Sequence, residues 1–250
     1  MQVYIWLLLP TALLLPPRAW SGEIIGGREA WPHSRPYMAY LKIKDGTNFS
    51  RCGGFLVSEN FVLTAAHCNG EKIMVILGAH DISKREESQQ VIPARVKIPH
   101  PQYDKRTRNN DIMLLQLQKE AELNENVNLI RMPRAHQRVR PGTKCSVAGW
   151  GRISLHSERP SDRLRVVDVM VMPDDTCTYE NYNPSTMLCA GDPKTGKNPF
   201  MGDSGGPLVC KGTAQGIVSA VHSNGTPPAV YTRISTFFPW IKQTMKKLQP

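Results

Sequence analysis

The chain has 250 residues, with 31 Lys and Arg against 21 Asp and Glu, which gives a net charge of +10 at pH 7. Hydrophobic residues make up 40% and charged residues 21%, a balance typical of a globular protein and unlike that of a disordered chain. The 19 glycines and 20 prolines follow no fixed period, which excludes collagen and favours a fold rich in loops.

Residues 1–21 are predicted to be a signal peptide. Their apolar run ends at Pro16-Pro17, and the small residues Ala19 and Ser21 stand where a signal peptidase cleaves. A membrane span needs about 20 apolar residues. This run is shorter and no later segment is longer, so we expect no transmembrane anchor. Because the secretory pathway is oxidising, the even number of six cysteines is expected to form disulfides.

Short β-type runs recur between turn signals along the rest of the chain. They cover residues 36–41, 61–64, 73–77, 112–117, 145–148, 164–172, 207–210, 216–218 and 229–232. Runs this short and this regularly interrupted predict an antiparallel barrel or sandwich, whereas an α/β fold needs long helical patterns between its strands.

One amphipathic helix is predicted at the end, over residues 236–248. Its apolar residues recur close to the 3.6 spacing of a helix, and lysines occupy the other face. A basic amphipathic helix can bind a membrane surface. Docking on the protein's own barrel is the interpretation we favour.

A candidate nucleophile, Ser204, lies in the segment GDSGGP, where glycines let a substrate approach the backbone closely. The G-x-S-x-G spacing also fits the nucleophile elbow of an α/β-hydrolase, a fold that requires an acid and then a histidine after the serine. No Asp or Glu follows Ser204, and His222 is the one histidine that does. The α/β-hydrolase interpretation is therefore excluded.

The partners of Ser204 must lie upstream. Of the seven histidines, His67 stands out because it follows an apolar strand within the tight segment TAAHC. Asp111 lies directly before the predicted apolar strand 112–117. A carboxylate that enters a buried strand needs a charged partner or a hydrogen-bond donor. A turn aspartate that caps the strand is the alternative interpretation of Asp111.

Together these segments resemble the trypsin/chymotrypsin family of serine proteases. The segments that carry the resemblance are IIGG at 24–27, TAAHC at 64–68, NDIMLL at 110–115, AGWG at 148–151 and GDSGGPLVC at 202–210. The resemblance covers nearly all of the chain after residue 23. It implies an all-β fold of two six-stranded antiparallel β-barrels with a C-terminal α-helix and the active site between the barrels. The implied bounds are a peptidase domain at 24–250, with barrels at about 24–125 and 126–235 and the helix at 236–250.

Within the family, the chain resembles the granule proteases: granzymes, mast-cell chymases and cathepsin G. The segment PHSRPYMA at 32–39, the short spacer 22–23 and Phe200, where many relatives carry a further cysteine, point to this subgroup. The resemblance implies a secretory granule of immune cells and the extracellular space as locations. It also implies the pairs Cys52–Cys68, Cys145–Cys210 and Cys177–Cys189, where sequence alone allows fifteen connectivities.

The family mechanism, carried onto this sequence, assigns Ser204 as nucleophile, His67 as general base and Asp111 as the residue that orients the imidazole. The backbone N–H groups of Gly202 and Ser204 are expected to form the oxyanion hole.

Activation is expected to require removal of the dipeptide Gly22-Glu23. The new ammonium of Ile24 would then pair with a buried Asp203. Because Glu23 is neither Lys nor Arg, the implied activator is a dipeptidyl aminopeptidase and not a trypsin-like protease.

The resemblance also implies that primary specificity depends on Asn198 at the pocket floor, with Ser219, Val221 and Ala229 around it. A neutral floor offers no countercharge to Arg or Lys, so cleavage after these residues is not expected. Val221 and Ala229 narrow the pocket, which favours Val, Ala, Leu or Met before the scissile bond, with Phe or Tyr as the alternative.

Other signals concern surface chemistry and partners. Asn48 and Asn224 begin glycosylation sequons. The charge of +10 favours binding to acidic proteoglycan or a heparin-like polyanion. Serpin-type inhibitors are implied by the resemblance, and no metal, cofactor or nucleic acid is expected. The alternative function is that of a non-proteolytic cationic granule protein that binds glycans or microbial surfaces.

Overall fold

The computed structural model describes residues 27–153 and 159–248. The predicted signal peptide at 1–21, the dipeptide at 22–23 and Ile24 lie outside the described residues. The described chain forms thirteen β-strands and one α-helix. They are β1 (Arg28–Glu29), β2 (Met38–Asp45), β3 (Asn48–Ser58), β4 (Phe61–Thr64), β5 (Lys72–Leu77), β6 (Gln90–Pro99), β7 (Met113–Leu117), β8 (Lys144–Gly149), β9 (Arg165–Val171), β10 (Met187–Gly191), β11 (Pro207–Cys210), β12 (Thr213–Ala220), β13 (Ala229–Arg233) and α1 (Ile234–Leu248).

Strands β2 to β7 close into the first six-stranded antiparallel barrel. Their order is β2-β3-β4-β7-β6-β5, and β5 pairs back onto β2. Strands β4 and β7 are buried along their whole length, and they are paired neighbours, with Thr64 opposite Met113. This pairing brings the chain after β4, which carries His67, next to the chain before β7, which carries Asp111.

Strands β8 to β13 form the second six-stranded barrel. Their order is β9-β10-β13-β12-β11-β8, and pairing of β8 with β9 closes the sheet. Closure leaves neither barrel with a free edge of unpaired backbone groups. The turn before β11 carries Ser204, and β12 carries Ser219. The predicted all-β fold of two six-stranded barrels with one C-terminal helix is confirmed.

The beginning of the described chain lies on the second barrel, although it precedes the first in sequence. Strand β1 pairs with β9, with Arg28 opposite Val166, and the Ala30 N–H donates to the Leu164 carbonyl at 2.9 Å. Ala30 is buried in a cluster with Trp150. Strand pairing, and not chain order, determines where so short a segment packs.

Helix α1 begins at Ile234, two residues before the predicted start. Its buried residues Phe237 and Ile241 pack into the apolar cluster of the first barrel, and the His100 ring meets the Phe237 ring edge-on at 5.1 Å. The helix thus follows the second barrel in sequence, packs into a cluster that consists mainly of first-barrel residues, and also contacts β12. No helix of the described ranges is both long and apolar enough to cross a membrane.

Three disulfides tie neighbouring elements together. Cys52–Cys68 links β3 to the turn after β4, Cys145–Cys210 links β8 to β11, and Cys177–Cys189 fastens a loop to β10. These are the pairs that the family resemblance implies. The described residues contain no free cysteine.

Candidate active site

His67 lies in a short 3₁₀ turn, Ala66–Cys68, directly after β4. The disulfide from Cys68 to Cys52 fastens this turn to β3. Ala66 and Cys68 are buried, whereas the side chain of His67 is 16% exposed. The turn therefore holds the backbone firmly and leaves the imidazole accessible on one side.

Asp111 is fully buried beside this turn. Its Oδ2 accepts hydrogen bonds from His67 Nδ1 at 2.7 Å and from Ser219 Oγ at 2.6 Å, and its Oδ1 accepts one from the His67 N–H at 2.9 Å. Because an ionised carboxylate can only accept, Nδ1 carries the proton and Nε2 is left free to take one.

The environment of Asp111 keeps its carboxylate ionised. Burial pushes the pKa of Asp111 upward, but the hydrogen bonds and charge of His67 and the hydrogen bond from Ser219 outweigh it and hold the pKa below its usual value. The Thr232 hydroxyl in β13 also donates to the Asp111 carbonyl at 2.7 Å. Groups from both barrels thus hold one carboxylate against the imidazole.

Ser204 and His67 open onto the same cavity of about 300 Å³. No direct hydrogen bond joins their side chains in the described chain, and such bonds are often long in enzymes without substrate. The cavity is lined by His67, Arg108, Tyr179, Met201, Gly202, Ser204, Val218, Ser219, Ala220 and Val221.

The backbone around Ser204 is fastened to the first barrel. The Gly53 N–H in β3 donates to the Ser204 carbonyl at 2.7 Å. Gly205 adopts φ +81°, and a Cβ there would collide with the Thr64 hydroxyl and the Gly53 carbonyl. Only glycine fits this position, which is the physical reason for the glycine after the serine.

The N–H groups of Gly202 and Ser204 have no acceptor within residues 27–153 and 159–248. Gly202 adopts φ +102°, a conformation that L side chains rarely adopt. Both residues also line the cavity. Two residues that line the cavity therefore carry N–H groups without an acceptor among the described residues.

Asp203 is fully buried and takes no part in the cavity lining. Its oxygens accept hydrogen bonds from the N–H groups of Gly151 and Phe200, each at 2.9 Å. Burial raises the pKa of Asp203 to about 6. Its expected partner, Ile24, lies outside the described residues.

The four expected pocket residues do not all face the cavity. Ser219 and Val221 line it, whereas Asn198 and Ala229 are fully buried and do not. The Asn198 amide nitrogen lies 3.5 Å from the carbonyls of Gly225 and Thr226, and its Oδ1 is buried without a partner in the described part of the chain.

Both expected glycosylation sites are exposed. Asn48 begins strand β3, and Asn224 lies in the loop between β12 and β13, where its Oδ1 accepts a hydrogen bond from the Thr226 hydroxyl at 2.7 Å. Exposure of this kind permits a glycan at either position.

Sequence reasoning overlooked one charged cavity residue, Arg108. In the sequence it is one of several basic residues around Lys105, and its only signal is its position three residues before Asp111. Its Nη1 lies 3.8 Å from Asp111 Oδ2.

Cys52, His67 and Cys68 form the one group of potential metal ligands found among the described residues. The two cysteines are bonded to each other, so they offer no thiolate, and His67 is hydrogen-bonded to Asp111. This group is not a metal centre.

Comparison with known proteins agrees with the geometry. Residues 24–241 match the model of the Trypsin family. The chain is 55% identical to cathepsin G of Homo sapiens over 245 residues, covering 97% of this chain and 95% of that protein. It is 54% identical to duodenase-1 of Bos taurus over 243 residues, with 96% of each chain covered.

The similarity extends to granzymes and to a solved structure. Granzyme B of Homo sapiens is 52% identical over 244 residues, covering 96% of this chain and 98% of that protein. The solved structure of a protein named GrC matches with a TM-score of 0.84 and 47% identity, over 88% of this chain and 99% of the other. The chain belongs to the trypsin family and is a serine endopeptidase related to the granule proteases.

Proposed function

We propose that this endopeptidase forms an acyl-enzyme on Ser204, with His67 as general base and Asp111 as the orienting carboxylate. The observation that carries the proposal is the 2.7 Å hydrogen bond from His67 Nδ1 to the buried Asp111, together with the cavity that His67 shares with Ser204.

The proposed reaction begins when Ser204 Oγ attacks the peptide carbonyl. A hydroxyl is a weak nucleophile until a base accepts its proton, and the free Nε2 of His67 takes it. The ionised Asp111 stabilises the imidazolium, which then protonates the leaving amine. Water, deprotonated by the same imidazole, hydrolyses the ester and restores Ser204.

Gly202 and Ser204 are proposed to donate their free N–H groups to the oxyanion of the tetrahedral intermediate. A donor of this kind contributes about 3 kcal/mol to transition-state stabilisation. The position of Gly202 in the cavity lining supports the proposal, because its N–H has no acceptor within the described residues.

The direct test is acylation of the chain that begins at Ile24 by a fluorophosphonate probe. Ser204→Ala should abolish labelling and lower kcat by about a factor of a million. The control Ser185→Ala changes an exposed serine and should label normally. A folded wild-type chain that is neither labelled nor active on any peptide would favour the alternative of a non-proteolytic cationic granule protein.

For primary specificity we propose cleavage after Val, Ala, Leu or Met, with Phe or Tyr as the alternative and without cleavage after Arg or Lys. The Val221 side chain on the cavity wall supports this proposal, as does the lack of an acidic side chain among the described residues that line the cavity. A peptide library dominated by cleavage after Arg would contradict it.

The proposed setting is a secretory granule and the extracellular space. The net charge of +10 supports storage on acidic proteoglycan, and serpin-type inhibitors and a dipeptidyl aminopeptidase activator complete the proposed partners. Because polyanion binding weakens as salt screens charge, heparin affinity that does not change with salt would contradict the charge-based proposal.

A further inference from the structure

Arg108 places a positive charge in the cavity that His67 and Ser204 share. Its side chain is 33% exposed and lines this cavity together with Ser219, Ala220 and Val221. No acidic side chain lines the cavity in the described chain. A bound peptide therefore meets a cation there without a neighbouring anion at the surface.

Arg108 lies near Asp111 without being hydrogen-bonded to it. Arg108 Nη1 is 3.8 Å from Asp111 Oδ2, which already accepts hydrogen bonds from His67 and Ser219. Nη1 is buried and has no hydrogen-bond partner within the described residues, and the same holds for the nearby Tyr103 hydroxyl. Nη1 faces Asp111, but the side chain as a whole is 33% exposed and lines the cavity, so other donors of the five-donor guanidinium fork are available to a carboxylate bound there.

The loop around Arg108 is ordered by its own hydrogen bonds. The Asp104 N–H donates to the Asn109 carbonyl at 3.0 Å, and the Thr186 hydroxyl donates to Asn109 Oδ1 at 3.3 Å. Arg108 itself adopts φ +58°, in the left-handed region that residues other than glycine rarely occupy. Such conformations concentrate at functional sites, where surrounding contacts hold them in place.

We infer that Arg108 selects substrates with an Asp or Glu side chain on the N-terminal side of the scissile bond. The inference rests on the proposed function, in which Val221 contacts the residue that precedes the cleaved bond, and Arg108 lines the same cavity. A carboxylate there would meet the exposed donors of the guanidinium, and arginine–carboxylate pairs of this kind are among the stronger hydrogen-bonded contacts. Arg108 is a specificity residue, and it takes no part in the bond-breaking step.

The test compares fluorogenic peptides that share the best-cleaved residue at the scissile bond. Glu, Gln or Lys is placed in turn two, three and four residues from the cleaved bond, on its N-terminal side. We expect wild-type kcat/KM to favour Glu over Gln by about tenfold at one of these positions, which corresponds to about 1.4 kcal/mol. Arg108→Gln should bring the ratio to about one, and Arg108→Glu should favour Lys.

Arg106→Gln is the matched control, because Arg106 is an exposed arginine of the same loop; it should keep the wild-type ratio. The Glu-to-Gln ratio within one variant cancels any effect that Arg108 has through Asp111 on the rate of both peptides. A wild-type enzyme that cleaves Glu and Gln peptides equally at all three positions would overturn the inference, as would an Arg108→Gln variant that keeps the preference. Failure of the wild-type chain to cleave any peptide or to react with the probe would contradict the proposed function instead.

Discussion

At the scale of single residues, Asp111 shows how a buried charge is made tolerable. Three hydrogen bonds from His67 and Ser219 hold its pKa below its usual value despite complete burial. A carboxylate with a lowered folded pKa contributes stability above its unfolded pKa, and this contribution is lost as the pH falls through the folded pKa. Asp111 therefore supports both the fold and the site at neutral pH.

Ser219→Ala tests the part of this arrangement that lies outside the proposed triad. Hydrogen bonds to charged groups contribute about 1.5–3 kcal/mol, so we expect kcat/KM to fall at least about tenfold, because Asp111 is less firmly held. Ser235→Ala is the control, since the Ser235 hydroxyl is also buried and has no partner among the described residues. Equal rates for Ser219→Ala and wild type would contradict the role given to Ser219.

At the scale of elements, helix α1 joins the two barrels. It continues directly from β13 of the second barrel, yet its apolar face packs into the cluster of the first. The Gln116 amide in β7 also donates to the Leu248 carbonyl at the end of the helix, at 3.0 Å. The apolar face that could have bound a membrane is used within the molecule.

Ile241→Ala tests this packing. Ile241 is fully buried, and removing such a side chain costs about 2–5 kcal/mol in the free energy of unfolding. Gln243→Ala, on the exposed side of the same helix, should change stability by less than about 0.5 kcal/mol. Denaturant unfolding of both variants measures the difference, and equal midpoints would show that the helix is not docked.

At the scale of the whole molecule, the site exists only where the barrels meet. His67 and Asp111 come from the first barrel, while Ser204 and Ser219 come from the second. Asp203 lies beneath this junction as a buried acid whose pKa is raised to about 6. We propose that processing at Ile24 supplies a cation to this carboxylate.

The chain that keeps Gly22-Glu23 should therefore be inactive and should lose stability as the pH rises. The folded pKa of Asp203 exceeds its unfolded value of 3.8, so ionisation is costly in the folded state. Between pH 4 and pH 8 the free energy of unfolding should fall by up to about 3 kcal/mol. Unfolding at several pH values and probe labelling measure both effects.

Two comparisons make this test specific. Asp203→Asn in the extended chain should remove the decline, and the chain that begins at Ile24 should show little of it because the new ammonium pairs with Asp203. Full activity of the extended chain would contradict the activation proposal, and a decline unaffected by Asp203→Asn would assign the pH dependence to another group.

Local sequence was sufficient for much of the fold and for the candidate triad. The strands have short, regular apolar runs, and Ser204 and His67 lie in segments whose glycines and small residues are required by close packing, as the collision at Gly205 shows. Arg108 could not be recognised in this way, because in sequence a basic residue in a basic loop is indistinguishable from a solvated one.

The sequence by itself determined the family, the all-β class and the candidate catalytic residues, because nucleophile, base and strand signals depend on local patterns. Tertiary structure alone decided that β1 pairs with the second barrel, that α1 packs on the first, and that Asn198 and Ala229 do not face the cavity while Arg108 does. These outcomes depend on contacts between segments far apart in the chain. Such contacts are decided by how the two barrels pack and not by the neighbours of any one residue.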